Sequence, residues 1–164
     1  MTNNAEQSPL DEYSLYIAHS VQDAGIDRKI QKKRTFASGY ELHSGGEVVD
    51  QNSYAGRDRN QQQDFRQMEA LEAALYRMEG PARVTVITTS SLIEETINHG
   101  NEVFEERLPA VHANLLEHVE EKDISLWAMA PDEDDDEAQG HISRIQKELR
   151  RRRREFERTL RDKE

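Results

Sequence analysis

Two basic clusters and one acidic run carry the strongest chemical signals in this chain. Arg28, Lys29, Lys32, Lys33 and Arg34 fall within seven positions, and Arg150, Arg151, Arg152, Arg153 and Arg154 are consecutive. Cationic side chains at that density neutralise phosphates, so both clusters are candidate contacts to a nucleic-acid backbone. The plainer alternative for the second is a solvated helix face. Asp132-Glu-Asp-Asp-Asp-Glu137 reads as an acidic loop. His112 and His118, with Glu117 between them, are six apart, which puts their rings on different sides of a helix and favours surface histidines over a zinc site. Ser90 and Ser91 lack the glycines of a nucleophile elbow and fit helix capping instead. With no cysteine in the chain, disulfides, thiolate metal sites and a thiol nucleophile are excluded.

The charge is unevenly spread. Over 164 residues, 22 Lys and Arg face 33 Asp and Glu, a formal net charge of −11. Glu102 to Glu137 holds thirteen acidic and two basic residues, whereas Arg144 to Glu164 holds ten basic and five acidic ones. Such asymmetry points to an electrostatic interaction surface. The length suits one domain with tails. No apolar run is long enough to span a bilayer, and Met1 to Pro9 lacks the basic and apolar regions of a signal peptide, so the expected location is cytoplasmic.

The elements that must position these groups follow from periodicity. Tyr13–Ala18 is apolar and β-prone, a buried strand, and Ser20 to Ile30 reads as a loop. Thr35–His43 and Glu47–Tyr54 flank Ser44-Gly45-Gly46, a hairpin signal. Phe65, Met68, Leu71, Ala74, Leu75 and Met78 recur at helical spacing, and Gly80-Pro81 ends that helix. Arg83–Thr88 is a strand, Ser90 or Ser91 caps a helix through His99, Leu108–Val119 is a further helix, and Ile124–Met129 a further strand. Gln139 to Asp162 is a long helix whose thin apolar stripe is Ile142, Ile145, Leu149, Phe156 and Leu160. The order β-β-β-α-β-α-α-β-α implies a mixed α/β sheet flanked by helices.

This order, with several local strings, resembles type 1 ribonuclease H. Leu15-Tyr-Ile-Ala-His-Ser20 is similar to that family's opening strand, Met68-Glu69 with the following Ala70–Leu75 to its Met-Glu-Leu helix, Thr88-Thr-Ser-Ser-Leu-Ile93 to its Thr-Asp-Ser-Gln-Tyr-Val segment, and Arg107 to Trp127 to its helix and Trp-containing strand. The resemblance implies a ribonuclease H-like five-stranded mixed sheet over residues 13–149, preceded by a disordered tail, 1–12, and extended by an Arg-rich stretch of the last helix, 150–164.

It also implies a test of the chemistry. The family cuts the RNA strand of an RNA–DNA hybrid with two Mg²⁺ ions held by carboxylates from the first strand, the first helix, the end of the fourth strand and the last helix. Those positions fall here on Ala18, Glu69, Thr89 and a site near His141, with Glu137 the alternative for the last. Only Glu69 keeps a carboxylate, and the loop 132–137 is a poor substitute for ligands projected from rigid strand ends. The expectation is a degenerate, catalytically inactive member that binds hybrid or other duplex backbone, with no metal or other cofactor. Its expected contacts are Arg28, Lys29, Lys32, Lys33, Arg34 and Arg150 to Arg154. Two alternatives stand beside it: a protein-interaction scaffold using the last helix, and a divergent Mg²⁺-dependent nuclease with rearranged ligands.

Overall fold

The computed structural model describes residues 11–21, 34–58 and 63–162. Five strands form one sheet: β1 (Asp11–Val21), β2 (Arg34–Ser44), β3 (Glu47–Asp58), β4 (Ala82–Ile87) and β5 (Ile124–Met129). Their spatial order is β3-β2-β1-β4-β5. The β3-β2-β1 half is antiparallel and β1-β4-β5 is parallel, which gives the expected mixed sheet. The hairpin between β2 and β3 turns on Gly45 and Gly46, whose φ values of 59° and 85° are readily adopted by glycine.

Helices cover both faces. α1 (Gln63–Arg77), α2 (Ser91–His99), a short α3 (Val103–Arg107) and α4 (Pro109–Lys122) precede β5, and α5 (Asp136–Asp162) follows it. The main core joins Leu15, Ile17, Leu42, Val84 and Val86 of the sheet to Met68, Leu71 and Leu75 of α1, with Phe104 and Leu115 behind them. Each large side chain buried there contributes roughly 1.5–3 kcal/mol. A second, smaller cluster on the opposite face joins Ala18 and Ala37 to Ile145 and Leu149 of α5. Side chains alternate along a strand, so Leu15 and Ile17 meet α1 while Tyr16 and Ala18 meet α5.

Several boundaries differ from the expectations. β1 begins at Asp11, inside the expected tail, because Asp11 and Glu12 pair with Ala82 and Arg83 of β4. It also continues through Ser20 and Val21, which pair with Ala37 and Phe36, so the loop starts later than composition suggests. α3 is an additional turn of helix anchored by the fully buried Phe104. α4 starts on Pro109, a residue preorganised for the first helical position. α5 begins within the acidic run, where the Ala138 amide donates to the Asp135 carboxylate and caps the helix. Its stripe residues Ile142, Ile145 and Leu149 are buried on the molecule's own sheet, which removes them from any seam for a second helix. Among the described residues no helix is long and apolar enough to cross a membrane.

Candidate functional site

The parallel register sets Tyr16 of β1 against Ile87 of β4. Ala18 and Thr89 each lie two residues beyond that pair and so stand at the same level. On the α1 side of this edge the structure gathers His19, Asp64, Gln67, Thr88, Thr89 and Ser90. Thr88, fully buried, donates its hydroxyl to Gln67 Oε1 at 2.7 Å, and Gln67 Nε2 lies 3.5 Å from Thr89 Oγ1. Ser90 donates its hydroxyl to Asp64 and accepts the Ile93 amide at 3.2 Å, so it caps α2. Glu69 is elsewhere. Two residues along a helix is a rotation of about 200°, and its carboxylate pairs with Arg66 at 2.7 Å. The glutamate at the position carried over from the family is thus turned away from β4, and a neutral amide takes the place facing it.

His19 is the titratable group of this edge with the clearest environment. Its Nδ1 is 2.6 Å from the buried Ser38 hydroxyl, and its ring stacks on Phe36 at 6.0 Å. Burial first, and then the charge of Arg66, lower its pKa to about 4 against the opposing charge of Asp64. At neutral pH it is an uncharged imidazole.

Ala18 points to the other face, into the apolar contact with Ala37, Ile145 and Leu149. His141 is two helical turns from Leu149, about 12 Å along α5, and belongs to a different group. That group consists of Glu41 and His43 on β2, His141 and Arg144 on α5, and the Tyr16 ring. His43 Nε2 donates to Glu41 Oε1 at 3.0 Å, and Arg144 donates to the same carboxylate. Burial raises the Glu41 carboxyl, but the hydrogen bonds from Arg144 and His43 outweigh it and hold its pKa below the ordinary value. Tyr16 packs against the rings of His43 and His141 at 4.8 and 4.9 Å. Burial, then the charges of Glu137, Asp135 and Glu41, raise its hydroxyl pKa.

No protein-family model and no curated protein matches the sequence. Solved structures do match the fold. The N-terminal RNase H domain of Rv2228c from Mycobacterium tuberculosis, solved as a maltose-binding-protein fusion, aligns with a TM-score of 0.65 at 11% identity, over 92% of this chain and 99% of that one. The foamy viral protease–reverse transcriptase in complex with double-stranded DNA aligns at 0.64 and 12% identity, over 87% and 94%. LC11-RNase H1 in complex with an RNA/DNA hybrid aligns at 0.52 and 15% identity, over 72% and 83%. The chain has a ribonuclease H-like fold.

On that fold, the four positions carried over from ribonuclease H do not assemble a carboxylate site. Ala18 is enclosed by aliphatic side chains, Glu69 is paired with Arg66, Thr89 is neutral, and His141 sits with Glu41 and His43. Two Mg²⁺ ions carry four positive charges between them and need bridging anionic oxygens. The Gln67, Thr88 and Thr89 side chains supply no anion, and Asp64 is the carboxylate that shares their hydrogen-bonded group. These residues do not fit a Mg²⁺ pair.

The basic residues divide. Arg34 opens β2, while Arg28, Lys29, Lys32 and Lys33 lie outside the described residues. Arg153 turns inward to Glu157 at 3.1 Å, and Glu157 in turn accepts from Thr35 of β2. Arg151 is held between Glu148 and Glu155, and Arg152 is exposed. Lys147, Arg150, Arg154 and Arg158 line one outer face of α5 together with Arg151 and make no ion pair among the described residues. In the sequence the five arginines form one run; the helical period separates them into an outward stripe and an inward strut.

Proposed function

We propose that this chain is a catalytically inactive, nucleic-acid-binding protein that uses a ribonuclease H-like framework to hold duplex backbone, RNA–DNA hybrid foremost. The observation that carries the reading is the chemistry at the shared edge of β1 and β4. A neutral amide and two threonine hydroxyls interlock there, and Ala18 is packed under Leu149 and Ile145. Such a site has no anionic cage to bind a metal pair, activate water or stabilise a leaving oxygen. What it keeps is shape. Two of the similar structures carry nucleic acid, LC11-RNase H1 a hybrid and the foamy viral enzyme double-stranded DNA.

The outer stripe of α5 supports the binding half. From Lys147 to Arg158 it runs about 17 Å along the helix, a stretch over which a duplex presents on the order of ten phosphates. Because the chain as a whole is strongly acidic, distant phosphates are repelled and affinity has to come from this stripe and the basic cluster at residues 28–34. Binding of that kind is steeply salt-dependent and indifferent to base sequence. Titrating a fluorescent RNA–DNA hybrid at two salt concentrations, beside a scrambled hybrid and a single strand, tests it. Saturable binding that weakens with salt and ignores sequence is expected; absence of saturation at low salt overturns the proposal.

A further inference from the structure

Residues from two elements a hundred positions apart bring three ligand-type side chains together on the α5 face of the sheet. Glu41 and His43 alternate on β2 and so project to the same side; His141 comes down from the second turn of α5. One ligand atom from each lies within 4.8 Å of the other two. Glu41 and His43 are buried. The point of convergence is filled by the guanidinium of Arg144, which donates from Nη2 both to Glu41 Oε1 and to His141 Nδ1, the latter at 3.0 Å. Since Nδ1 accepts there, the ring proton of neutral His141 sits on Nε2, which faces Glu137 Oε1 at 3.6 Å.

We propose that Glu41, His43 and His141 form a binding site for a divalent transition-metal ion, Zn²⁺ foremost, whose place the Arg144 guanidinium now takes. The donor set, two imidazoles and one carboxylate, suits zinc and its neighbours rather than Mg²⁺. The surroundings suit it as well. A metal-bound histidine commonly gives its second ring N–H to a carboxylate, and Glu137 stands ready for that role, its Oε1 3.6 Å from His141 Nε2. Tyr16 packs on both imidazoles and fixes their planes. All three ligands stand on regular elements, which hold geometry better than loops.

Bonds of about 2.0–2.1 Å at tetrahedral angles put ligand atoms roughly 3.3 Å apart, so the three must close in by rotation of their side chains. Arg144 can leave, because its side chain is about half exposed (52%). His43 presents Nε2 to the ion by carrying its proton on Nδ1. Three protein ligands leave one tetrahedral position for water, beside a cleft of about 500 Å³ that Tyr16, Glu137, Arg83 and Thr85 also line. Because the ligands belong to β2 and α5, the ion would fasten the last helix to the sheet.

Adding Co²⁺ alone to the full chain, followed by displacement with Zn²⁺, tests the assignment. We expect one equivalent of Co²⁺ to give the visible d–d bands of a four-coordinate ion, their loss on adding Zn²⁺, and a rise in Tm with either metal. His43→Gln and His141→Ala should each abolish the bands, while a His112→Ala/His118→Ala chain should keep them. Arg144→Ala leaves every ligand in place and should bind roughly tenfold tighter, a readout that stands even if a histidine variant fails to fold. No stoichiometric binding to the wild-type chain, bands that survive His43→Gln and His141→Ala, or unchanged affinity in Arg144→Ala would each overturn the proposal.

Discussion

Thr88 donates its hydroxyl to the side-chain carbonyl of Gln67 at 2.7 Å, a neutral hydrogen bond that bridges the end of β4 and the first helix. Thr88 and Gln67 are both fully buried, so each satisfies a group that water cannot reach. Replacing Gln67 by Ala takes away the acceptor of the Thr88 hydroxyl proton, though its oxygen still receives the Ser90 amide, and should cost about 1–3 kcal/mol, read as a lower midpoint in urea unfolding. Glu69→Gln removes only a partly exposed ion pair with Arg66 and should stay within about 0.5 kcal/mol of the parent. The reverse ranking would place the important helix side chain at 69.

Restoring an acid on β1 is expected to harm rather than revive the protein. Ala18 is 1% exposed and touches Ala37, Ile145 and Leu149. A carboxylate there has no partner in that cluster, and its burial is expensive. Ala18→Asp should lower Tm by several degrees and confer no hybrid cleavage. A stable, cleaving Ala18→Asp chain would show that the metal site needs one ligand only.

His19 sets a pH dependence of known sign. Its folded pKa, about 4, is below the ordinary 6.5, so between those values the unfolded chain binds a proton that the native chain refuses. The contribution of this residue is therefore fully present above about pH 6.5 and is lost as pH falls toward 4, amounting to roughly 3 kcal/mol over the window. Denaturation midpoints measured across that window should fall less steeply in His19→Gln than in the parent. Equal slopes would show that the imidazole is freely protonated in the folded state.

Much of this architecture is legible in the residue pattern, because Met68, Leu71 and Leu75 recur at helical spacing and Gly45-Gly46 marks the hairpin. The facing of α1 is less so. The Met68-Glu69 string draws attention to the glutamate, yet Gln67 is the residue that continues the buried row of Leu71, Ala74 and Met78 at spacings of four and three. That row is the signal in the sequence for the amide. The group at Glu41 and His43 has half a signal, two ligand-type side chains alternating on one strand face; its third member is set by how α5 lies across the sheet, which local sequence does not encode. The division of Arg150 to Arg154 follows from the same docking, since Arg153 meets Glu157 only because the helix turns that side toward β2.

The cationic stripe makes a quantitative claim. Changing Lys147, Arg150, Arg154 and Arg158 to Gln should weaken hybrid binding for every sequence alike and flatten its salt dependence. Each phosphate that is no longer neutralised should reduce the log–log slope by about 0.7–0.9. Changing Arg153 to Gln should instead lower stability, because its side chain is directed to Glu157 and is largely buried. An unaltered slope in the fourfold variant would move the binding surface to the 28–34 cluster.

The most direct measurement follows a hybrid labelled on its RNA strand, incubated with the full chain in Mg²⁺ and separately in Mn²⁺, while complex formation is recorded in the same tubes. A retarded complex whose RNA stays intact in both ions is the expected result. RNA cut at an enzymic rate, with the activity lost in Asp64→Asn, would contradict it and make the β1–β4 edge an active nuclease centre.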